Sequence, residues 1–307
     1  MVKLVATSVV RGSSPGESHG RLYIVDLEEE RVYQPVDWNT VDIDWKGDGG
    51  DRGLRGIAFC NDRVFVAASD ELIEYNPNFE FVASYRNPYL KHCHEICVYE
   101  QHLFIASAAY DSILAFNLIK DDFDKAFIVR TDGQNFSMGQ FSPSSDDGPL
   151  PMNKLHINNI FCEEGGMYIS GLRTEGLLLY NGKRIGISAT LPSGARNARP
   201  FRDGILLNDT ESNTLRYVTR TGKGDCAFGV PLYAEEDLLN AETEDSGIAR
   251  QGFGRGLCTA SDTLIAAGSS PSTITLYDLD QKKMLKTVNI SMDIRNAIHS
   301  LEVWPYY

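Results

Sequence analysis

The sequence predicts an all-β fold built as a ring of six four-stranded blades, and three observations carry that prediction. A unit of about 40 residues recurs: a short apolar strand, a polar turn, a second strand ending in small residues, then two more strands. Turn residues punctuate it at hairpin spacing, as at Asn61-Asp62 and Asn76-Pro77-Asn78. The stretches left over at the two ends of the 307 residues add up to one further unit, which closes the ring and protects the strand edges of an open array. Such a ring is a β-propeller, expected here as a single domain over residues 1–307.

In chain order, "KLVATSVV" and "GRLYIVDLEEERVYQPV" supply three strands. The first complete unit is "RGIAFCNDRVFVAASDELIEYNPNFEFVASYRN", where "RVFVAAS" shows strand alternation. The second is "HEICVYEQHLFIASAAYDSILAFNL" followed by "KAFIVRT", and the third "HINNIFCEEGGMYISGLRTEGLLLYNGKRIGISATLP". The fourth opens at "ARNARPF" and ends at "FGVPL", and the fifth runs from "GRGLC" to "VNIS". The last stretch, "AIHSLEVWP", is one strand, expected innermost in a sixth blade whose other three strands come from the N-terminus.

A formal net charge of −13 argues against general binding to nucleic acid or to an anionic membrane surface, both of which need positive counter-charge. No run approaches the roughly 18 apolar residues of a membrane span, and "MVKLVATSVV" lacks the features of a signal peptide. The six cysteines are scattered through strand-like segments without paired CxxC knuckles, which fits a reduced, cytoplasmic protein with small buried thiols.

In a propeller the innermost strand of every blade begins at one mouth of the central channel. Aligning the units on "RGIAF" brings Arg55, His94, Asn158 with His156 two residues before it, Arg196, Arg255 and His299 to equivalent positions. In "HCHE", His94 is therefore in register, while His92 and Cys93 belong to the preceding loop. Glu95 is expected to point away from the channel unless the strand entrance is bulged. Three arginines and three histidines converging in an acidic chain call for a bound anion, paired carboxylates or neutral imidazoles.

Loops on the same face add His19 in "RGSSPGESHG", Tyr110 and Asp111 in "SAAYDS", Arg173 in "LRTEG" and Asp209 in "NDTES". Three linkers, 36–54, 131–155 and 232–254, are long enough to act as lids, with Phe136, Met138 and Phe141 available to cover a ligand and a helical turn expected at 235–240.

These phrases resemble the six-bladed propellers that include NHL-repeat, strictosidine-synthase-like and gluconolactonase-like proteins. "HINNIF", "ARNARP" and "RGLCT" are also similar to "HLNGLA", "PHSPR" and "RGLAF" segments of a bacterial propeller family. The resemblance implies the fold. The gluconolactonase-like calcium pattern of a glutamate, asparagines and an aspartate is matched here only by Asn158.

The leading functional reading is metal-free acid–base chemistry of the lyase, isomerase, cyclase or hydrolase kind on a small carboxylate- or phosphate-bearing substrate. His94 and His299 would move protons, with His156 as a third catalytic candidate that orients the substrate. Arg55, Asn158, Arg196, Arg255, His19 and Arg173 would bind the substrate. No cofactor is called for. One alternative is a single divalent metal held by His94, His156 and His299. Another is a non-enzymatic scaffold that binds a protein or glycan through rim aromatics such as Trp38, Trp45 and Tyr89.

Overall fold

The computed structural model describes residues 2–39, 52–243 and 249–306; Trp45, most of the 36–54 linker and part of the 232–254 linker lie outside them. The fold is a six-bladed β-propeller. The first strands are β1 (Lys3–Val10), β2 (Gly20–Asp26) and β3 (Arg31–Trp38), followed by β4 (Leu54–Cys60), β5 (Arg63–Ala68), β6 (Glu71–Tyr75) and β7 (Phe81–Arg86). Next come β8 (Cys93–Tyr99), β9 (His102–Ser107), β10 (Ser112–Asn117), β11 (Asp122–Thr131) and β12 (Phe136–Phe141). The third complete unit folds as β13 (Ile157–Glu163), β14 (Gly166–Gly171), β15 (Gly176–Tyr180) and β16 (Ile185–Thr190), and the fourth as β17 (Ala195–Phe201), β18 (Gly204–Asp209), β19 (Thr214–Thr219) and β20 (Cys226–Gly229). The chain finishes with β21 (Leu257–Thr259), β22 (Leu264–Ser269), β23 (Thr273–Asp278), β24 (Lys283–Asn289) and β25 (Asn296–Val303).

Each sheet is a meander except the closing one, whose order is β25-β1-β2-β3. The C-terminal strand pairs antiparallel with β1 from Leu4↔Val303 to Val10↔Asn296, as the leftover ends of the sequence require. One blade departs from the four-strand expectation. β12 adds a fifth strand to β8–β11, because "FSMGQF" turns back on β11 from Ala126↔Phe141 to Thr131↔Phe136. The aromatic and methionine side chains expected to form a lid are instead packed: Phe136 and Met138 against the cluster around Ile157 and Ile169, and Phe141 against that around Tyr89 and Phe116.

The chain divides into two compact units, residues 1–55 with 200–307, and residues 56–199. Strands near the middle of a blade are buried on both faces and read as continuous apolar runs, as in β5 and β10, whereas the outer strand β7 is largely exposed. The helical turn expected near 235 is a single 3₁₀ turn at Glu235–Asp237, with another at Ala241–Thr243. All six cysteines are free thiols. No helix among the described residues is long and apolar enough to cross a membrane.

Candidate functional site

Three innermost strands carry a bulge, and in each case it falls on a residue that the sequence alignment places in the ring. Cys93↔Ser107 and Ile96↔Ile105 leave one extra residue in β8, at His94-Glu95. Ile157↔Gly171 and Asn159↔Ser170 leave Asn158 extra in β13. Ser300↔Thr7 and Ile298↔Ser8 leave His299 extra in β25. A bulge re-aims a side chain that the strict two-residue alternation would point elsewhere.

Within residues 56–199, the structure brings His94 and His156 together, with ring centroids 5.4 Å apart and planes tilted by 59°. His94 is buried on β8, while His156 is half-buried in the loop before β13. His156 sits at φ 53°, in the left-handed region that bulky L-residues avoid. The surrounding contacts hold it there. Asp111, also left-handed at φ 49°, accepts backbone hydrogen bonds from Lys154 at 2.6 Å, Leu155 at 3.0 Å and His156 at 2.7 Å. On the opposite side, Arg173 donates from Nε to the Lys154 carbonyl and from Nη2 to that of Asn153, while Leu172 N–H meets the His156 carbonyl. A side chain on Gly171 would place its Cβ 2.6 Å from the carbonyl oxygens of both Leu155 and His156, which is why the neighbouring strand ends in glycine there.

The imidazole of His156 is oriented as well as placed. Its Nδ1 lies 2.9 Å from Asn153 Oδ1, and with that oxygen accepting, Nδ1 carries the proton and Nε2 is the basic nitrogen of the neutral ring. Two residues on, Asn158 is buried at 4% exposure and its Nδ2 has no hydrogen-bond partner among the described residues. A buried amide without a partner costs about 1–3 kcal/mol, so its presence calls for a ligand or water to accept from it. Glu95, which follows His94, is buried and accepts from Asn197 Nδ2 at 3.0 Å. This bond ties the bulge of β8 to the start of β17, where the half-buried Arg196 precedes Asn197 and donates to the Ala195 carbonyl at 3.0 Å.

Gly56 shows how tightly β4 and β8 approach. A Cβ on it would stand 2.6 Å from both His94 O and Ile96 N, so the "RG" pair in the repeat reflects a close backbone passage. Further along β8, Cys97 meets Cys162 of β13, whose N–H points at Cys97 Sγ at 3.3 Å. Contact with Cys97, then burial, pushes the Cys162 thiol up, and burial pushes up Cys226, so neither is an activated nucleophile.

In residues 1–55 with 200–307, Arg55, Arg255 and His299 are all buried. Thr7 Oγ1 donates to the Arg55 carbonyl and accepts from Ser300 N–H at 3.0 Å, anchoring the residue beside His299. His19 is fully buried, bonded through Nδ1 to Ser13 Oγ at 2.8 Å and packed edge-on against Trp38 at 5.9 Å. Among the described residues, no group of three or more His, Cys, Asp or Glu side chains is arranged to hold a metal ion.

Sequence reasoning singled out the two histidines and Asn158 but missed Asn153 and the Glu95–Asn197 pair, and it read Asp111 and Arg173 only as rim candidates. The spacing Asn153-x-x-His156 was available as a local signal for side-chain orientation. The Glu95–Asn197 bond joins residues 102 apart and had none.

No protein-family model matches the chain, and no curated protein does. Among solved structures, a nidogen–laminin complex matches with TM-score 0.57 at 10% identity, covering 99% of this chain and 98% of that one. The C-terminal WD40 domain of Sif2 matches with TM-score 0.49 at 11% identity, covering 95% and 89%. A catalytically inactive virginiamycin B lyase from Staphylococcus aureus with quinupristin matches with TM-score 0.47 at 11% identity, covering 78% and 71%. At these identities the likeness is one of fold, and it carries no residue or reaction across.

Proposed function

We propose that the chain is an enzyme that moves a proton on a small anionic molecule at the His94–His156 pair. The observation that carries this reading is the buried Asn158 amide, unpartnered among the described residues, two residues from the half-buried His156 held in left-handed backbone, in the same unit as the buried His94. Backbone outliers and orphaned polar groups cost stability and gather at functional sites, and here they stand within one short segment.

In this reading His156 Nε2 takes a proton from carbon or oxygen next to the substrate's carboxylate or phosphate. His94 returns one to the leaving or rearranging atom, which is lyase, isomerase or cyclase chemistry. Asn158 Nδ2 donates to the oxygen on which negative charge grows, an interaction stronger in the transition state than in the ground state. Arg196 supplies the fixed positive charge that selects an anion.

The test is a screen of carboxylate- and phosphate-bearing metabolites by ligand-observed NMR, with turnover followed on every binder. Substituting His156→Gln or His94→Gln should lower kcat by about 100-fold or more with the urea midpoint unchanged, since one general acid or base contributes about 10²–10⁴. Turnover that survives both substitutions, or a screen with no binder, would remove the reading.

A further inference from the structure

An open pocket of about 200 Å³ lies within residues 56–199, between the end of β11 and the loop that leads into β13. Its lining includes none of the side chains assigned above to proton transfer or anion selection. The buried part of the lining is apolar and continuous with the core: Val129 and Leu155, 2% and 3% exposed, belong to the cluster around Ile157 and Ile169. The outer part is apolar but wet. Leu150 is 73% exposed and Met152 57%, and large apolar side chains left in water beside a concavity offer surface for an apolar ligand to cover.

Two cations complete the lining. Arg130 on β11 and Lys154 in the loop are exposed, and among the described residues neither side chain is paired with a carboxylate. The carboxylate in the lining, that of Asp111, accepts from the backbone N–H groups of Lys154, Leu155 and His156, so its oxygens are committed to the loop. In a chain of net charge −13, this lining therefore carries two positive side chains against one carboxylate.

Both walls are fixed by the fold. β11 is paired on its two sides, Ser112↔Ile128 with β10 and Arg130↔Ser137 with β12. The loop is tied by Asn153 N–H to Ala109 O at 3.0 Å and by Arg173 to the carbonyls of Asn153 and Lys154. A Cβ on Gly139 of β12 would stand 2.6 Å from Arg130 Nη1, so the glycine in that strand leaves the guanidinium its place. Walls set in advance lose little freedom when a ligand binds.

From this we infer that the pocket binds a small carboxylic acid with an apolar body of one ring or a short chain. The body would cover Leu150 and Met152 and reach Val129 and Leu155, while the carboxylate would meet the Arg130 fork and the Lys154 ammonium. Size sets the class: a cavity of about 150 Å³ takes one benzene ring, so there is room here for a single ring with its acid group.

The experiment is titration of the full chain with 3-phenylpropionate, followed by amide chemical shifts in NMR and repeated with 3-phenylpropanamide and with acetate. Parallel titrations use Arg130→Gln, Leu150→Asp and His94→Gln, each checked for native circular dichroism. The expected result is saturable shifts centred on 128–131 and 150–155. Affinity should fall about fivefold or more in Arg130→Gln and in Leu150→Asp and stay unchanged in His94→Gln. No saturable binding to the unmodified chain, the amide or acetate binding as tightly as the acid, or unchanged affinity in Arg130→Gln would each overturn the assignment. Shifts centred on 94–96 and abolished in His94→Gln would instead put the acid at the histidine pair, so failure here and failure of the acid–base reading are told apart.

Discussion

Replacing Asp111 tests whether the loop before β13 is held by one carboxylate. Its side chain is buried, and its two oxygens accept three backbone N–H groups: Oδ2 those of Lys154 and Leu155, Oδ1 that of His156. A hydrogen bond to a charged group contributes about 1.5–3 kcal/mol, and taking the acceptor away strands donors, of which Leu155 is buried. Asp111→Ala should therefore lower stability by about 3–5 kcal/mol. Asp111→Gly removes the same bonds but relieves the left-handed φ of 49°, so it should cost about 1 kcal/mol less than Ala. Asp111→Asn keeps the shape and one accepting oxygen while turning an NH₂ toward at least one N–H, for a loss of about 1.5–3 kcal/mol. The assay is the urea midpoint by circular dichroism, with amide hydrogen exchange at 154–156 as the local readout. Ala within about 0.5 kcal/mol of the unmodified protein, or Asn more damaging than Ala, would refute the argument.

Four further outcomes follow from particular contacts. Gly56→Ala forces a Cβ against backbone atoms of His94 and Ile96, and should destabilise by about 1–3 kcal/mol and disturb the His94 environment seen by NMR; an unchanged urea midpoint would contradict the close passage. Breaking the Glu95–Asn197 bond in a double-mutant cycle with leucine at each position should show coupling of about 1 kcal/mol or more, and additivity would deny it. Burial acts to raise the Asp209 carboxyl, but hydrogen bonds from Ser212, Arg216 and the Glu211 backbone outweigh it and hold the group below the ordinary carboxylate range. Its contribution is thus present above the unfolded value of about 3.9 and lost as pH falls through the folded one; Asp209→Asn should flatten the acid limb of the stability–pH curve, and an unaltered limb would show another group responsible. Removing residues 296–307 strips β25 from β1 and should cause early, aggregating unfolding that a peptide of the same residues reverses in trans; an unchanged urea midpoint would mean that the closing pair adds nothing.

The blade count and the closure by the two ends were legible because they rest on period and turn chemistry, which short segments carry by themselves. β12 was not. "FSMGQF" is interrupted by glycine and sits in a stretch rich in serine and proline, and only its pairing with β11 makes it a strand. The ring positions of His94, Asn158 and His299 could be aligned from sequence, but the bulges that aim them could not, because an extra residue in a ladder is defined by the partner strand. Arg173 and Asp111 looked like rim groups offering charge to a ligand, whereas both are turned onto the backbone of 153–156. His19, offered for substrate binding, lies fully buried against Ser13 and Trp38. A titratable residue in a turn reads the same in sequence whether it serves a ligand or its own loop.

The antiparallel pairing of β1 with β25 also sets how the molecule answers to tension. Leu4 lies opposite Val303, and Trp304 N–H reaches Lys3 O at 2.9 Å, so the two chain ends leave the sheet side by side. A force applied between handles at those ends would act across the strands, loading one hydrogen-bonded pair at a time and peeling β25 from β1 like a zipper. The contact that completes the blade is then the first to yield under pull, although against heat or urea it shares the load with every other strand of its sheet.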